Sequence, residues 1–264
     1  QETMEKSLAN ADWAGFAARK AESQKHGKLR GIGLGYYIEA SGGQPTEQAS
    51  VKVTPDGRVE LIMGTFSHGQ GHETAFSQIV SQKLGVPFDL IDFRQGDTDF
   101  VKNGNGTGGS RSSQMGGVAA ARACDQVIEK ARRIAAHVLE AAAADLAYRN
   151  GAFEVVGTDL RLTLREVARL AADPAKLPEG ESAGLDETCL YKRPTECNFP
   201  NGAHVAEVEI DPDTGFMEVV KYTAVDDCGL LINPLLVKGQ VHGGVGQGLG
   251  QAVLENTAYD AESG

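Results

Sequence analysis

The sequence predicts an α+β fold made of a duplicated two-layer unit, in which a β-hairpin, a glycine-rich loop and helices lie on a mixed sheet. Turn residues predict two hairpins, one around Pro55-Asp56-Gly57 within 49–63 and one around Asp211-Pro212-Asp213-Thr214-Gly215 within 203–224. A glycine-rich segment and a helical pattern follow each hairpin. Because this order occurs twice, we infer a duplication.

The predicted layout has four parts. We expect a lead-in helix and strand over 1–44, a first half-repeat over 45–172, a long loop over 173–202 and a truncated second half-repeat over 203–264. The long loop is predicted from its four prolines, because such segments in compact proteins are usually linkers or coverings.

The first half-repeat places a glycine-rich loop, Gly64 to Gly71, between a strand and a helix. Residues 59–63 form the apolar strand pattern, and Gly85 ends the helical pattern that follows. Free amides at a helix start favour anions, so a phosphate or an electron-rich cofactor is the expected occupant. An ordinary glycine-rich turn is the alternative.

The remaining elements are predicted from periodicity and from helix start and stop signals. They are a helix over 5–26, a strand over 29–39 with glycine at alternate positions, a strand over 90–94, a long helix from Val118 to Ala142 with Gly151 as its stop, a helix over 164–172 behind a Thr163/Glu166 capping box, and a helix from Asn233-Pro234 through Gly250. Six glycines inside the last helix predict close contact with a backbone or a ligand, because each disfavours a helix by about 1 kcal/mol relative to alanine.

Composition excludes some classes of function. A formal net charge of −11 without a basic stripe argues against a nucleic-acid partner. No apolar run approaches the ~20 residues of a membrane span. Four cysteines without framework spacing, at 124, 189, 197 and 228, are expected to be free thiols, which predicts a cytoplasmic protein. We also expect a piece of a longer protein, because Gln1 is not an initiator methionine and the tail resembles a strand entering a turn.

Two other site interpretations compete with the glycine-loop hypothesis. Gly104 to Gly109 matches the dinucleotide pattern G-x-G-x-x-G, which would suit a nicotinamide-dependent dehydrogenase, but no strand leads directly into it. His68 and His72 are four residues apart, yet the glycines between them disfavour a helical metal pair. A non-catalytic α+β interaction module, whose glycines serve only close packing, is the third possibility.

Several motifs in order resemble one protein family. They are Gly64-Thr65 with Gly69-Gln70-Gly71-His72-Glu73-Thr74, then Gly109-Ser110-Arg111-Ser112-Ser113, Asp226-Asp227-Cys228-Gly229 with Ile232-Asn233-Pro234, and Gly239-Gln240-Val241-His242-Gly243-Gly244. Together they resemble the molybdenum-cofactor-binding subunit of the xanthine dehydrogenase, aldehyde oxidase and aerobic carbon monoxide dehydrogenase family. The resemblance runs from about Gly27 to Gly264, and the motif forms most resemble the carbon monoxide dehydrogenase large chain.

The resemblance implies a cofactor site and no metal ligands from the protein. The residues it assigns to contact with the pterin or its phosphate are Gln70, Gly71, His72, Thr74, Ser110, Arg111, Ser112, Ser113 and Gln240. The cofactor implied is molybdopterin, which many bacterial relatives carry in the cytosine dinucleotide form. Arg111 ahead of a helix also suits a phosphate on its own chemistry, although a plain N-cap explains the serines equally well.

The resemblance also implies an activity and partners. The family oxidises carbon monoxide, aldehydes or N-heterocycles with water-derived oxygen, and passes electrons to iron–sulfur clusters and FAD on partner subunits or domains, often within a dimer of the assembled enzyme. Its catalytic base is a glutamate, whereas Gly244-Val245-Gly246 here precedes Gln247. We therefore expect the base beyond Gly264, no catalytic residue in this chain, and no activity from this piece alone.

Overall fold

The computed structural model describes residues 1–194 and 197–264, and its internal contacts divide the chain into two compact units. The first unit combines Gln1–Ser41 with Cys197–Gly264, and the second is Gly42–Glu196. Residues 1–41 thus group with the segment predicted as the second half-repeat. Each unit is described by itself below.

The second unit is built on a mixed four-stranded sheet in the order β4-β3-β2-β8. β2 (Thr46–Val53) and β3 (Val59–Met63) form the predicted hairpin, β8 (Leu185–Lys192) pairs antiparallel with β2, and β4 (Ile91–Gln95) pairs parallel with β3. The sheet and helices confirm the predicted α+β class and the mixed sheet.

Helices cover this sheet and enclose the main core. They are α3 (His72–Leu84), α4 (Val118–Val138) and α5 (Leu164–Ala171). α4 packs against α3, β2 and β8, and many of its buried side chains are alanines, which lets the helix approach the sheet closely. α3 ends at Gly85 in the left-handed conformation, and the Thr163/Glu166 capping box begins α5, as predicted.

Two predictions in this unit are wrong. α4 ends at Val138 and not at Ala142, because Glu140 adopts a left-handed φ of 51° directly after the last turn. Gly151 therefore does not stop this helix. It lies in the turn between β5 (Leu146–Arg149) and β6 (Ala152–Val155), which form a small antiparallel sheet with β7 (Arg161–Thr163) that the sequence did not predict.

The interval 173–202 contains strand β8 where the sequence predicts a loop. Leu185, Cys189 and Tyr191 are buried in β8 and alternate with more exposed residues, which is the signature of a strand with one covered face. The prolines around this short run concealed the alternation. Thr195 and Glu196, which the predicted loop also includes, lie outside the described residues.

The first unit is an antiparallel sheet in the order β1-β9-β10, against which the first two helices of the chain pack. Its strands are β1 (Leu29–Ile38), β9 (Asn201–Ile210) and β10 (Met217–Asp227), and its helices are α1 (Glu2–Ala11), α2 (Phe16–Lys25) and α6 (Pro234–Val253). The second hairpin and the Asn233 cap of α6 are confirmed. The predicted helix over 5–26 is two helices, because Asp12 adopts a left-handed φ of 51° and its side chain accepts the Gly15 amide.

The covered face of this sheet carries a buried charge network. Glu207 is 1% exposed and accepts hydrogen bonds from Arg19 on α2 and Arg30 on β1. The opposite face carries the alternating glycines of β1. Among the described residues, no atom lies within 4 Å of a Cβ placed on Gly33 or Gly35.

No helix within the described residues is both long and apolar enough to cross a lipid bilayer.

Candidate functional site

The loop between β3 and α3 ends on two glycines whose backbone other residues adopt with difficulty. Gly69 has φ 111° and Gly71 has φ 78°, and Gly71 is the N-cap of α3. No side chain among the described residues caps this helix start. The first amides of α3 are therefore left for water or for a ligand, and the helix dipole favours an anionic or electron-rich one.

Gln70 folds back over its own loop. Its Oε1 accepts hydrogen bonds from the Ser67 hydroxyl at 3.1 Å and from the His68 amide, while Ser67 Oγ accepts the amides of Gly69 and Gln70 at 3.0 and 3.1 Å. These bonds fix the side chain beside the helix start. They occupy its carbonyl end, so its amide Nε2 is the end that can donate to a ligand.

His72 is the first residue of α3 and is only 5% exposed. Its ring contacts the Phe76 ring at a centroid distance of 5.0 Å, and burial lowers the pKa of the imidazole because it disfavours the charged form. The His72 ring interacts with the side chain of Gln95, whereas the hydroxyl of buried Thr65 has no hydrogen-bond partner within the described part of the chain. Orphaned buried polar atoms are uncommon and indicate an unseen partner, which fits a polar ligand at this loop. Thr74 is half-buried in the same first turn of α3.

A second glycine-rich loop, residues 96–109, lies directly against the first. A Cβ on Gly104 would stand 2.4 Å from the Gly64 carbonyl oxygen, and one on Gly106 would stand 2.6 Å from the Phe66 ring. The Gly106 amide donates to the Gly64 carbonyl at 3.2 Å. Contact between the loops therefore accounts for these glycines. The dinucleotide interpretation lacks its structural context, since β4 ends at Gln95, well before Gly104.

The serine-rich segment begins a π-helical turn, Ser112–Gly117, that continues into α4. Such turns occur frequently at functional sites. Thr107 Oγ1 donates to the Phe66 carbonyl at 2.6 Å, so the 2.8 Å contact between Thr107 and Ser112 has the Ser112 hydroxyl as its donor. This chain of bonds joins the two loops to the helix start. Ser110 (φ 53°) and Ser113 are exposed beside it.

Arg111 points inward. Its side chain is 2% exposed, and its guanidinium pairs with the buried carboxylate of Glu47. It also donates to the carbonyls of Thr46 at 2.5 Å and Gly106 at 3.1 Å. Its positive charge is therefore matched inside the protein.

Gln240 belongs to the first unit. It lies on α6, where it is exposed, and no residue of this helix is buried in the described structure. The assignment of Gln240 to the cofactor stays a prediction.

Three side chains at the second unit's site were not found from the sequence, namely Glu47, Thr65 and Thr107. A signal existed for Glu47, because it lies in phase with Ala49, Val51 and Val53 on the buried face of β2. A carboxylate at such a position requires a buried partner. Thr65 stands in the Gly64-Thr65 motif, although no contact was assigned to it, and Thr107 carries no such signal.

Comparisons with known proteins identify the family of this chain. The family model for the molybdopterin cofactor-binding domain matches residues 6–264. The nicotine 6-hydroxylase large subunit of Paenarthrobacter nicotinovorans is 36% identical over 94% of this chain. The carbon monoxide dehydrogenase large chain of Hydrogenophaga pseudoflava is 36% identical over 93% of it. Among solved structures, quinoline 2-oxidoreductase from Pseudomonas putida 86 matches 98% of this chain with a TM-score of 0.89 and 33% identity.

This chain spans about a third of the length of these relatives, 32% of both large chains and 35% of the matched chain of the quinoline enzyme. Within that span the match is nearly continuous, and it covers both glycine-rich segments and the serine-rich helix start. The chain belongs to the molybdopterin cofactor-binding domain family.

Proposed function

We propose that this chain supplies part of the molybdopterin cradle of a molybdenum-containing oxidoreductase that hydroxylates its substrate with water-derived oxygen. The observation that carries the proposal is the pair of uncapped helix starts, at Gly71 and Arg111, joined through Phe66, Thr107 and Ser112. Two helix starts whose preceding loops are hydrogen-bonded to each other favour a ligand rich in acceptor atoms and negative charge, such as a pterin with its phosphate.

The residues of the second unit fit this group. Gln70 Nε2 and the first amides of α3 donate to acceptor atoms of the pterin. Buried Thr65, in the same loop, carries a hydroxyl without a partner among the described residues. Exposed Ser113 supplies a hydroxyl at the second helix start, and Ser112, whose proton goes to Thr107, can accept from a ligand. Molybdopterin, when bound, supplies a redox-active molybdenum that takes electrons from the substrate; the protein binds and orients it.

We extend the proposal to the substrate class, the electron-accepting partners and the cellular compartment of the whole protein. Relatives are named for carbon monoxide and nicotine, which leaves a small oxidisable carbon compound as the substrate class. Iron–sulfur and FAD subunits or domains would receive the electrons, within a dimer of the assembled enzyme. Free cysteines support the cytoplasm as the compartment.

The test is the molybdenum and released pterin content of the intact protein that carries this sequence, purified with its partner subunits from cells that make the cofactor. We expect both near one per chain. Gln70→Ala should lower both several-fold, because losing one hydrogen bond to a buried polar ligand costs about 1–3 kcal/mol. Gln82→Ala, an exposed position on the same helix, is the matched control and should leave them unchanged.

Two results would favour the alternatives. A folded preparation without molybdenum or pterin, together with unchanged loading in Gln70→Ala and Gln240→Ala, would leave a non-catalytic interaction module. Saturable binding in an NAD titration would instead support the dehydrogenase hypothesis for Gly104 to Gly109, and we expect none.

A further inference from the structure

The Arg111–Glu47 pair lies underneath both glycine-rich loops. Both side chains are almost fully buried, at 2% and 1% exposure. A Cβ on Gly64, the first residue of the first loop, would stand 2.1 Å from Glu47 Oε1. The pair therefore lies directly against the first residue of the first loop.

The same guanidinium holds the second loop. Arg111 donates to the Gly106 carbonyl at 3.1 Å and to the Thr46 carbonyl at 2.5 Å, and Glu47 Oε1 accepts the Gln48 amide at 2.9 Å. The pair thus connects the first residues of β2 with the middle of the 96–109 loop. It also anchors the N-cap of the π-helical turn, because Arg111 is itself that cap residue.

We infer that Arg111 and Glu47 are positioning residues, which shape the two loops and the helix start around the cofactor without Arg111 touching it. This inference rests on the proposed function. Both terminal nitrogens of the guanidinium are bound, to the Glu47 carboxylate and to the Gly106 and Thr46 carbonyls, while its Nε is buried without a partner among the described residues. Two bound ends hold a planar guanidinium in one orientation, so it fixes the backbone segments that it joins. The Ser112 hydroxyl and the Phe66 carbonyl are then placed by Thr107 on that fixed backbone.

Glu47→Gln separates this role from direct anion binding. If Arg111 bound the phosphate of the cofactor, neutralising Glu47 would free the guanidinium, and loading would stay the same or rise. If the pair positions the loops, removing either charge leaves the other buried and unpaired, and loading falls in both variants. A double variant that removes both charges should then be no worse than either single one.

The experiment uses the intact protein with Glu47→Gln, Arg111→Gln and the double variant. We measure molybdenum and pterin content, and also hydrogen exchange of the 96–110 peptide in cofactor-free protein. We expect each single variant to lose most of its loading and to exchange the Gly106 amide at least about tenfold faster, because the loop opens more often. The double variant should lose no more loading than either single variant, because it leaves no unpaired buried charge.

The matched control is the Arg58–Asp92 pair, which also joins an arginine to a carboxylate in the same sheet but is 41% exposed on both sides. Arg58→Gln and Asp92→Asn should leave loading and Gly106 exchange unchanged. If the neutral Arg111 variant does not fold, Arg111→Lys replaces it. Lysine keeps the positive charge but lacks the two terminal nitrogens with which the guanidinium binds several acceptors at once. Unchanged exchange of the Gly106 amide in Arg111→Lys would overturn the inference.

Loading that survives Glu47→Gln but is lost in Arg111→Gln would also overturn the inference and make Arg111 a cofactor ligand. Failure of the proposed function is distinguishable from either result. In that case the wild-type protein holds no molybdopterin, while the hydrogen-exchange comparison still shows whether the pair holds the loop.

Discussion

Two G-Q-x-H segments occupy contrasting surroundings in this chain. Gly69-Gln70-Gly71-His72 leads into α3, with both glycines at positive φ and His72 buried. Gly239-Gln240-Val241-His242 lies inside α6, where its glycine has helical backbone and His242 is exposed. The same residue order therefore serves a turn in one unit and a regular helix in the other.

The glycines differ in the same way. In the second unit, Gly64 and Gly104 approach each other so closely that a Cβ on either would collide with backbone. In α6, no described atom lies within 4 Å of a Cβ on Gly239, Gly243 or Gly246. The close contact predicted for the α6 glycines is therefore absent from the described residues. Six glycines disfavour α6 by on the order of 5 kcal/mol relative to alanine. Within the described residues only Gly250 among these six has an atom near its Cβ position, from the Glu255 side chain.

Gly64→Ala tests the close approach of the loops. The new methyl group would stand 2.1 Å from Glu47 Oε1 and 2.8 Å from the Asn103 carbonyl oxygen, so we expect a loss of about 2–3 kcal/mol in the free energy of unfolding. Chemical denaturation measures it. Gly108→Ala is the control, because no described atom lies within 4 Å of its Cβ position. Equal stability of the two variants would mean that the loops do not touch.

Gly243→Ala tests the opposite expectation in α6. With no described atom near the new methyl group, we expect helix stability to rise by about 1 kcal/mol, seen as slower hydrogen exchange of the α6 amides. Gly239→Ala should slow hydrogen exchange of the α6 amides in the same way. Faster exchange or lower stability in the intact protein would show that another surface covers these glycines there, as the sequence predicted.

His72→Gln tests the difference between the two histidines. Because burial lowers the pKa of His72, the unfolded chain binds its proton more readily than the folded one. This histidine therefore favours folding at high pH, and that contribution is lost as pH falls below the usual histidine value of about 6.5. Denaturation midpoints across this range should depend less on pH in His72→Gln. His242→Gln, which removes an exposed imidazole, is the control for the loss of a histidine.

Much of the fold was predictable because its signals are local. Pro55-Asp56-Gly57 sets a hairpin turn, Gly85 ends α3, and Thr163 with Glu166 begins α5, each through contacts within a few residues. The glycine loops and the serine-rich start were likewise visible as motifs, and family membership followed from their order. Strand β8 escaped prediction because its partner β2 lies more than 130 residues away in the sequence.

The sequence by itself determined the hairpins, the helix starts and the family, because turn and cap chemistry acts over a few residues. The tertiary structure decided which groups each glycine and each charged side chain contacts. Arg111 looked like an anion ligand beside three serines, yet its charge is matched by Glu47, 64 residues earlier in the chain. Only the folded chain brings such distant groups together, because strand pairing and buried charge compensation depend on the whole core and not on neighbouring residues.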